Sequence, residues 1–247
     1  MIDWRNVSLL GIDVGFSERL KTTGIASYRY GQDVRLHCVG SQPADRAAAL
    51  SDGWLYDAIA IDGPIVSDPA SVAARHCEHV LARGPFGKRC KAGFSHFGTG
   101  LKLRQAATTI AAEMPTHRRS TTAPVVEAFP NAFLGVLLDD DAYASFATPV
   151  PRGEKSDIFF ARAVEDGRFD DLFDELNWND DGLRDAIRRI AVIKTRVAHE
   201  HRAALVCLLT AACALADKAQ YVGDEAGGFI CLPAKALWAQ WARNVLP

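Results

Sequence analysis

The chain has 247 residues, 49% of them apolar, which is enough to bury the core of one large domain. With 28 basic and 30 acidic residues its formal net charge is -2, which excludes a general attraction for nucleic acid or anionic membrane, so any polyanion-binding surface must be local. The six cysteines contain no C-x-x-C pair, no run approaches the roughly 18 consecutive apolar residues of a membrane span, and residues 1–5 carry no basic segment leading into an apolar one. The expectation is a soluble, cytoplasmic protein with no membrane partner.

Residues 7–14 form a short apolar run closed by Gly15, residues 24–30 a second that alternates in part, and residues 34–39 a third after the turn-forming Gly31-Gln32-Asp33. That pattern predicts a three-stranded antiparallel meander. Residues 45–50 favour helix. Ala58-Ile59-Ala60-Ile61 is continuously apolar and stops at Asp62-Gly63-Pro64, as a strand buried on both faces between parallel neighbours does. Val125-Val126-Glu127-Ala128-Phe129 repeats the design before Pro130, after a helical stretch at 101–113. Residues 155–199 are charged and helical in tendency, and read as an inserted or covering segment. Residues 202–217 are apolar nearly all round, which predicts a helix packed in the interior, and residues 229–232 suggest a last edge strand. No repeat or linker divides the chain, so residues 1–247 are expected to form a single α/β domain.

Asp13 lies where an apolar strand prefers Val or Ile, Asp62 ends the second such run and Glu127 lies within the third. An ionised carboxylate is costly to bury there unless something compensates it, and a cation is the simplest compensation. Hard oxygen ligands of this kind suit Mg²⁺ or Mn²⁺ rather than Zn²⁺. Each acid taken alone reads first as a turn-forming or helix-capping residue, Asp62 before Gly63-Pro64 above all. Taken together, strand-end acids of one sheet can point into a shared cleft.

Charge is also concentrated locally. Residues 71–120 hold nine basic side chains, Arg75, Arg83, Lys88, Arg89, Lys91, Lys102, Arg104, Arg118 and Arg119, against Glu78 and Glu113 alone. The centre, Gly84-Pro85-Phe86-Gly87-Lys88-Arg89, continues through Phe94 and Phe97 and mixes cations, rings and flexible backbone. Such a loop could grip a DNA or RNA backbone and stack a base, with Arg83, Lys88, Arg89, Lys91, Lys102 and Arg104 as the substrate-binding set. The competing reading is a solvated basic loop whose rings sit in a small satellite core.

Gly11-Ile12-Asp13-Val14-Gly15, Gly24-Ile25-Ala26, Ala60-Ile61-Asp62-Gly63-Pro64-Ile65, Val126-Glu127-Ala128-Phe129-Pro130 and His199-Glu200-His201-Arg202-Ala203-Ala204-Leu205 follow one another in an order that resembles the predicted ribonuclease H-like nuclease family catalogued as domain of unknown function 429. The resemblance spans nearly the whole chain. It implies a ribonuclease H-like mixed sheet with its first three strands antiparallel, helices on both faces and a helical insertion at about 152–198. It further implies acids on the first, fourth and fifth strands, places taken by Asp13, Asp62 and Glu127, and one on the final core helix. There the Asp-Ala pair that the resemblance leads one to expect is Ala203-Ala204, and Glu200, about one turn earlier, is the nearest carboxylate, with His199 or His201 able to assist instead.

The function so implied is metal-dependent hydrolysis of phosphodiesters in nucleic acid, with Asp13, Asp62, Glu127 and Glu200 both catalytic and metal-binding at a two-ion Mg²⁺ or Mn²⁺ site. Two alternatives share the core. Asp13-Val14-Gly15 could serve as the phosphate loop of a nucleotide-binding kinase or ATPase of the actin-like superfamily, which would need a homodimer to supply a second such domain. A catalytically silent nucleic-acid-binding protein would keep the fold and lack the chemistry.

Overall fold

The computed structural model describes residues 2–66, 74–90, 93–144 and 152–246. Strands β1 (Ser8–Asp13), β2 (Thr23–Arg29) and β3 (Arg35–Val39) are followed by helix α1 (Pro43–Ala49) and strand β4 (Ala58–Asp62). Helices α2 (His76–Leu81), α3 (Gly84–Arg89) and α4 (Gly98–Glu113) lead to β5 (Val125–Ala128). Six helices come next: α5 (Pro130–Leu137), α6 (Asp140–Ala144), α7 (Arg152–Glu165), α8 (Arg168–Glu175), α9 (Asp181–Ala191) and α10 (Arg196–Leu215). The hairpin β6 (Gln220–Asp224) and β7 (Gly228–Leu232) and helix α11 (Gln240–Val245) complete the order.

The seven strands form one mixed sheet in the order β3-β2-β1-β4-β5-β7-β6. β1, β2 and β3 pair antiparallel as the meander predicts, whereas β4 runs parallel to β1, β5 parallel to β4 and β7 parallel to β5. The expected last edge strand is corrected in place: β7 lies inside the sheet between β5 and β6, and the outer strand is β6.

Strand side chains alternate between faces, so each strand divides its residues into two sets. Leu9, Ala26, Ala58 and Ala60 point to one face and join the larger core with α10, while Leu10, Ile12, Ile25, Ile59 and Ile61 point to the other and pack with Ala107, Ile110 and Met114 of α4 and the turn that follows it. The first face is built from small residues for a reason. A Cβ on Gly11 would lie 2.2 Å from the Leu208 backbone nitrogen and 2.3 Å from the Ala204 carbonyl oxygen, and one on Gly24 would lie 2.2 Å from the Glu200 carbonyl oxygen. The two glycines therefore let α10 rest directly on β1 and β2. Ala204, in the place of the alanine of the expected Asp-Ala pair, is part of this close contact. Gly11→Ala is expected to destabilise the protein by about 2–3 kcal/mol or more, because backbone rather than a flexible side chain must give way; urea unfolding of the variant measures this.

Helix α10 starts at Arg196, with the Thr195 hydroxyl accepting from the Ala198 N–H at 3.1 Å. The helical insertion accordingly ends before residue 198, and its described part is α7, α8 and α9 packed outside α10. No helix among the described residues is long and apolar enough to cross a membrane.

Candidate functional site

Asp13 and Asp62 are the last residues of β1 and β4, and the parallel register pairs them directly. Both belong to the small-residue face, since Asp13 follows Gly11 by two positions and Asp62 follows Ala60 by two. Because Gly11 and Gly24 bring α10 down on that face, Glu200 reaches the same place, and its carboxylate and that of Asp62 are both in hydrogen-bonding contact with Asp13. Asp13 and Glu200 are buried.

Burial, the charge of Asp62 and the contact with Glu200 hold the Asp13 pKa well above the ordinary carboxylate range. Burial and, more weakly, the charge of Glu127 push Asp62 up, to about 7, although the hydrogen bond from Asp13 and the charge of His199 pull the other way. At neutral pH the pair therefore retains a proton where two isolated aspartates would hold none. Mutual repulsion among three carboxylates is relieved by that proton, or by a cation in its stead.

Two groups frame the cluster. Arg196 Nε lies 3.8 Å from Glu200 one turn away on α10. His199 Nδ1 is 2.9 Å from Asp157 Oδ1 on α7, and this bond raises the His199 pKa above its ordinary value. Asp157 also accepts from Arg202 Nε at 2.8 Å, and Arg202 Nη1 donates to the carbonyls of Ile190 at 2.9 Å and Ile193 at 2.7 Å. The buried Arg202 thus ties α7 and the turn between α9 and α10 to the helix that carries Glu200. Sequence reasoning assigns no role to Asp157 or Arg202; the local signal for Arg202 is a charge at the start of a run that is apolar nearly all round.

Glu127 does not join the cluster. The register sets it beside Ile61, so its side chain leaves the sheet on the face opposite to Asp13 and Asp62. There Arg75, at the N-terminus of α2, takes both of its oxygens at 2.7 Å and also bonds Glu78 at 2.9 Å and the Gly227 carbonyl at 3.2 Å. Glu78 further accepts from the Ser95 N–H at 3.1 Å and from its hydroxyl. Burial raises the Glu127 pKa even against the pull of Arg75, whose two short bonds favour the ionised form.

The basic stretch is rearranged in a similar way. Residues 84–89 form α3 rather than a loop, and Phe86 at its centre is fully buried against Trp241. Arg75 and Arg104 are buried, Arg89 bonds Asp140 and lies over the Tyr143 and Trp241 rings, and Arg119 bonds Asn6 and Ser8. Arg83, Lys88 and Lys102 remain exposed, and Lys91 lies outside the described residues.

A cleft of about 1110 Å³ opens beside the cluster, between α7 and the turn from α9 to α10, and reaches Glu200 and His199. None of the basic side chains of residues 75–119 lines it.

Among the described residues, no group of three or more His, Cys, Asp or Glu is disposed as a ready metal site. The chemistry of the Asp13, Asp62 and Glu200 donors nevertheless fits a hard divalent cation: Asp62 and Glu200 both reach Asp13, and no nitrogen or sulfur ligand is among the three. Comparison of the chain with family models, curated proteins and solved structures gives no match in any of the three.

Proposed function

We propose that the protein is a divalent-metal-dependent phosphodiester hydrolase acting on nucleic acid, built on a ribonuclease H-like sheet. The strand order β3-β2-β1-β4-β5, with β2 alone antiparallel to both neighbours, supports the fold assignment; β7 and β6 extend it. The observation that carries the function is the meeting of Asp13 and Asp62 at the carboxyl ends of adjacent parallel strands beneath Glu200.

Asp13, Asp62 and Glu200 would hold the ion. Glu127 is committed to Arg75, so the ligands gathered among the described residues suit one ion rather than the two that the resemblance implies. A bound divalent ion supplies Lewis-acid activation of a phosphoryl oxygen and of water. The two strands fix Asp13 and Asp62, and the α10 contact with Gly11 and Gly24 fixes Glu200. His199, oriented by Asp157 and adjacent to Glu200, is placed to hand a proton to a leaving oxygen.

Calorimetric titration with MnCl₂ tests the reading. One Mn²⁺ per chain is expected, Glu200→Gln is expected to weaken it at least about tenfold, and a labelled single-stranded oligonucleotide should be cut only when metal is present. Thermal stabilisation by a nucleotide without metal, together with no Mn²⁺ binding, would instead indicate the kinase-like alternative.

A further inference from the structure

We propose that the cleft between α7 and the turn joining α9 to α10 is the binding site for single-stranded nucleic acid, and that its phosphates run along Lys194, Arg196 and Lys21. This rests on the phosphodiester chemistry proposed above, and it moves the substrate from the basic stretch at 75–119 to the helical insertion.

The cleft ends at the acidic cluster, because Glu200 and His199 are among its lining residues. Its volume of about 1110 Å³ matches a site for one or two nucleotide units rather than a trough for a duplex, since pockets enclosing a single drug-sized ligand run roughly 300–1,000 Å³. Its walls are aliphatic, with Ile158 and Ala161 on α7 facing Val192 and Ile193 on the turn. Val192 is 78% exposed and Ile193 43% exposed. β-Branched apolar side chains held in water by a fixed backbone want a cover, and this backbone is fixed: Arg202, itself buried, bonds the carbonyls of Ile190 and Ile193.

The charges at the mouth select the cover. Arg162 is occupied by Asp166 and Glu165, Arg188 by Asp170 and Asp185, and Arg202 by Asp157. Lys194 is exposed and makes no ion pair among the described residues, and Arg196 has only the 3.8 Å approach to Glu200. Arg196 Nη2 donates to the Lys21 carbonyl at 3.3 Å, and Arg196 and Lys21 together line a second hollow of about 460 Å³ beside β3. The result is an outward row of cations passing from one hollow to the next beside the carboxylates. Phosphates satisfy that row, while bases can lie against the aliphatic walls. With no Phe, Tyr or Trp among the lining residues, the grip is sequence-tolerant and weaker per base than ring stacking.

The test uses the full chain and fluorescence anisotropy with labelled oligo-dT, oligo-rU and a duplex of the same length, in EDTA at low salt. Lys194→Glu and Lys21→Glu, both surface changes outside the acidic cluster, are each expected to weaken single-strand binding roughly tenfold and to flatten its salt dependence, whereas Lys102→Glu changes it less than about twofold. Ala161→Trp, which fills the cleft without altering charge, should weaken it as well. Loss of binding in Lys102→Glu with none in Lys194→Glu overturns the assignment in favour of the basic stretch, and tighter binding of the duplex overturns the single-strand claim. The chemistry and the cleft fail separately. Strand binding that needs Lys194 but no cleavage in Mn²⁺ defeats the chemistry alone, and metal-dependent cleavage with an unchanged KM in Lys194→Glu and Ala161→Trp defeats the cleft alone.

Discussion

Asp13→Asn is expected to abolish metal-dependent cleavage and, in the absence of metal, to leave the protein more stable than the wild type at pH 8. Asp13 and Asp62 both have pKa values raised in the folded protein, Asp62 to about 7. The folded state therefore binds more protons than the unfolded chain, whose aspartates titrate near about 3.9. With that sign, the stability linked to these groups is fully present below the unfolded pKa and falls as pH rises, through about 7 for Asp62 and through the raised pKa of Asp13. Glu78, Asp157 and Asp170 have lowered values and act in the opposite sense, losing stability as pH falls, but they are common to both proteins and cancel in the difference. Asparagine removes one of the repelling charges and keeps a hydrogen-bonding side chain. The variant should thus match the wild type near pH 4 and exceed it by about 1–3 kcal/mol at pH 8, since each tenfold difference in proton affinity between the folded and unfolded states corresponds to about 1.4 kcal/mol. Added Mn²⁺ should raise the melting temperature of the wild type and not of the variant. Melting curves at the two pH values decide it: a difference that stays flat from pH 4 to pH 8 would mean that the acids do not strain the fold.

How far this site can be read from sequence depends on the residue. Asp13 and Asp62 interrupt or end runs that are buried on both faces, and there an acid stands out whatever the register. Glu127 stands out for the same reason, yet its apolar neighbours Val125 and Val126 give no sign of which side it takes, and a shift of one residue moves a side chain across the sheet. Its partner Arg75 is 52 residues away, within a stretch that reads as a basic surface. Charge density along the chain does not distinguish an arginine that faces water from one that neutralises a buried carboxylate, so the nine-cation stretch loses Arg75, Arg89 and Arg104 to the interior or to fixed partners. β6 leaves no signal because Gln220, Gly223 and Asp224 break its alternation; as an outer strand it needs only Val222 buried. The first turn of α10 reads as part of the polar insertion because Arg196, His199 and Glu200 overhang the carboxyl end of the sheet, where a core helix becomes polar to serve the site. Gly11 and Gly24 are visible as motif residues, but their purpose, the approach of α10, emerges only from packing.

Arg75→Ala should be the most destabilising single change at a polar position. It would leave Glu127 and Glu78, whose side chains are 3% and 4% exposed, without their cation, and would release the clip between α2 and the β6–β7 turn at Gly227. Removing one partner of a buried ion pair costs about 3–5 kcal/mol, far more than the pair itself contributes over an apolar replacement. Lysine should rescue little, because a point ammonium cannot serve both Glu127 oxygens and Glu78 at once. The loss should also shrink as pH falls, since carboxylates deprived of the guanidinium have raised pKa values and are stabilised by protonation. Replacing all three together, Arg75→Met with Glu78→Gln and Glu127→Gln, should restore most of the stability, which urea unfolding at pH 5 and pH 7 can establish. The same network separates a structural Glu127 from a metal ligand. Glu127→Gln is expected to melt earlier yet cleave at close to the wild-type rate below its transition, whereas Glu200→Gln should retain its stability and lose cleavage. If Glu127→Gln were as stable as the wild type and inactive, the acid would belong to the ion after all, and Arg75 would be a substitute for metal rather than a fixed partner.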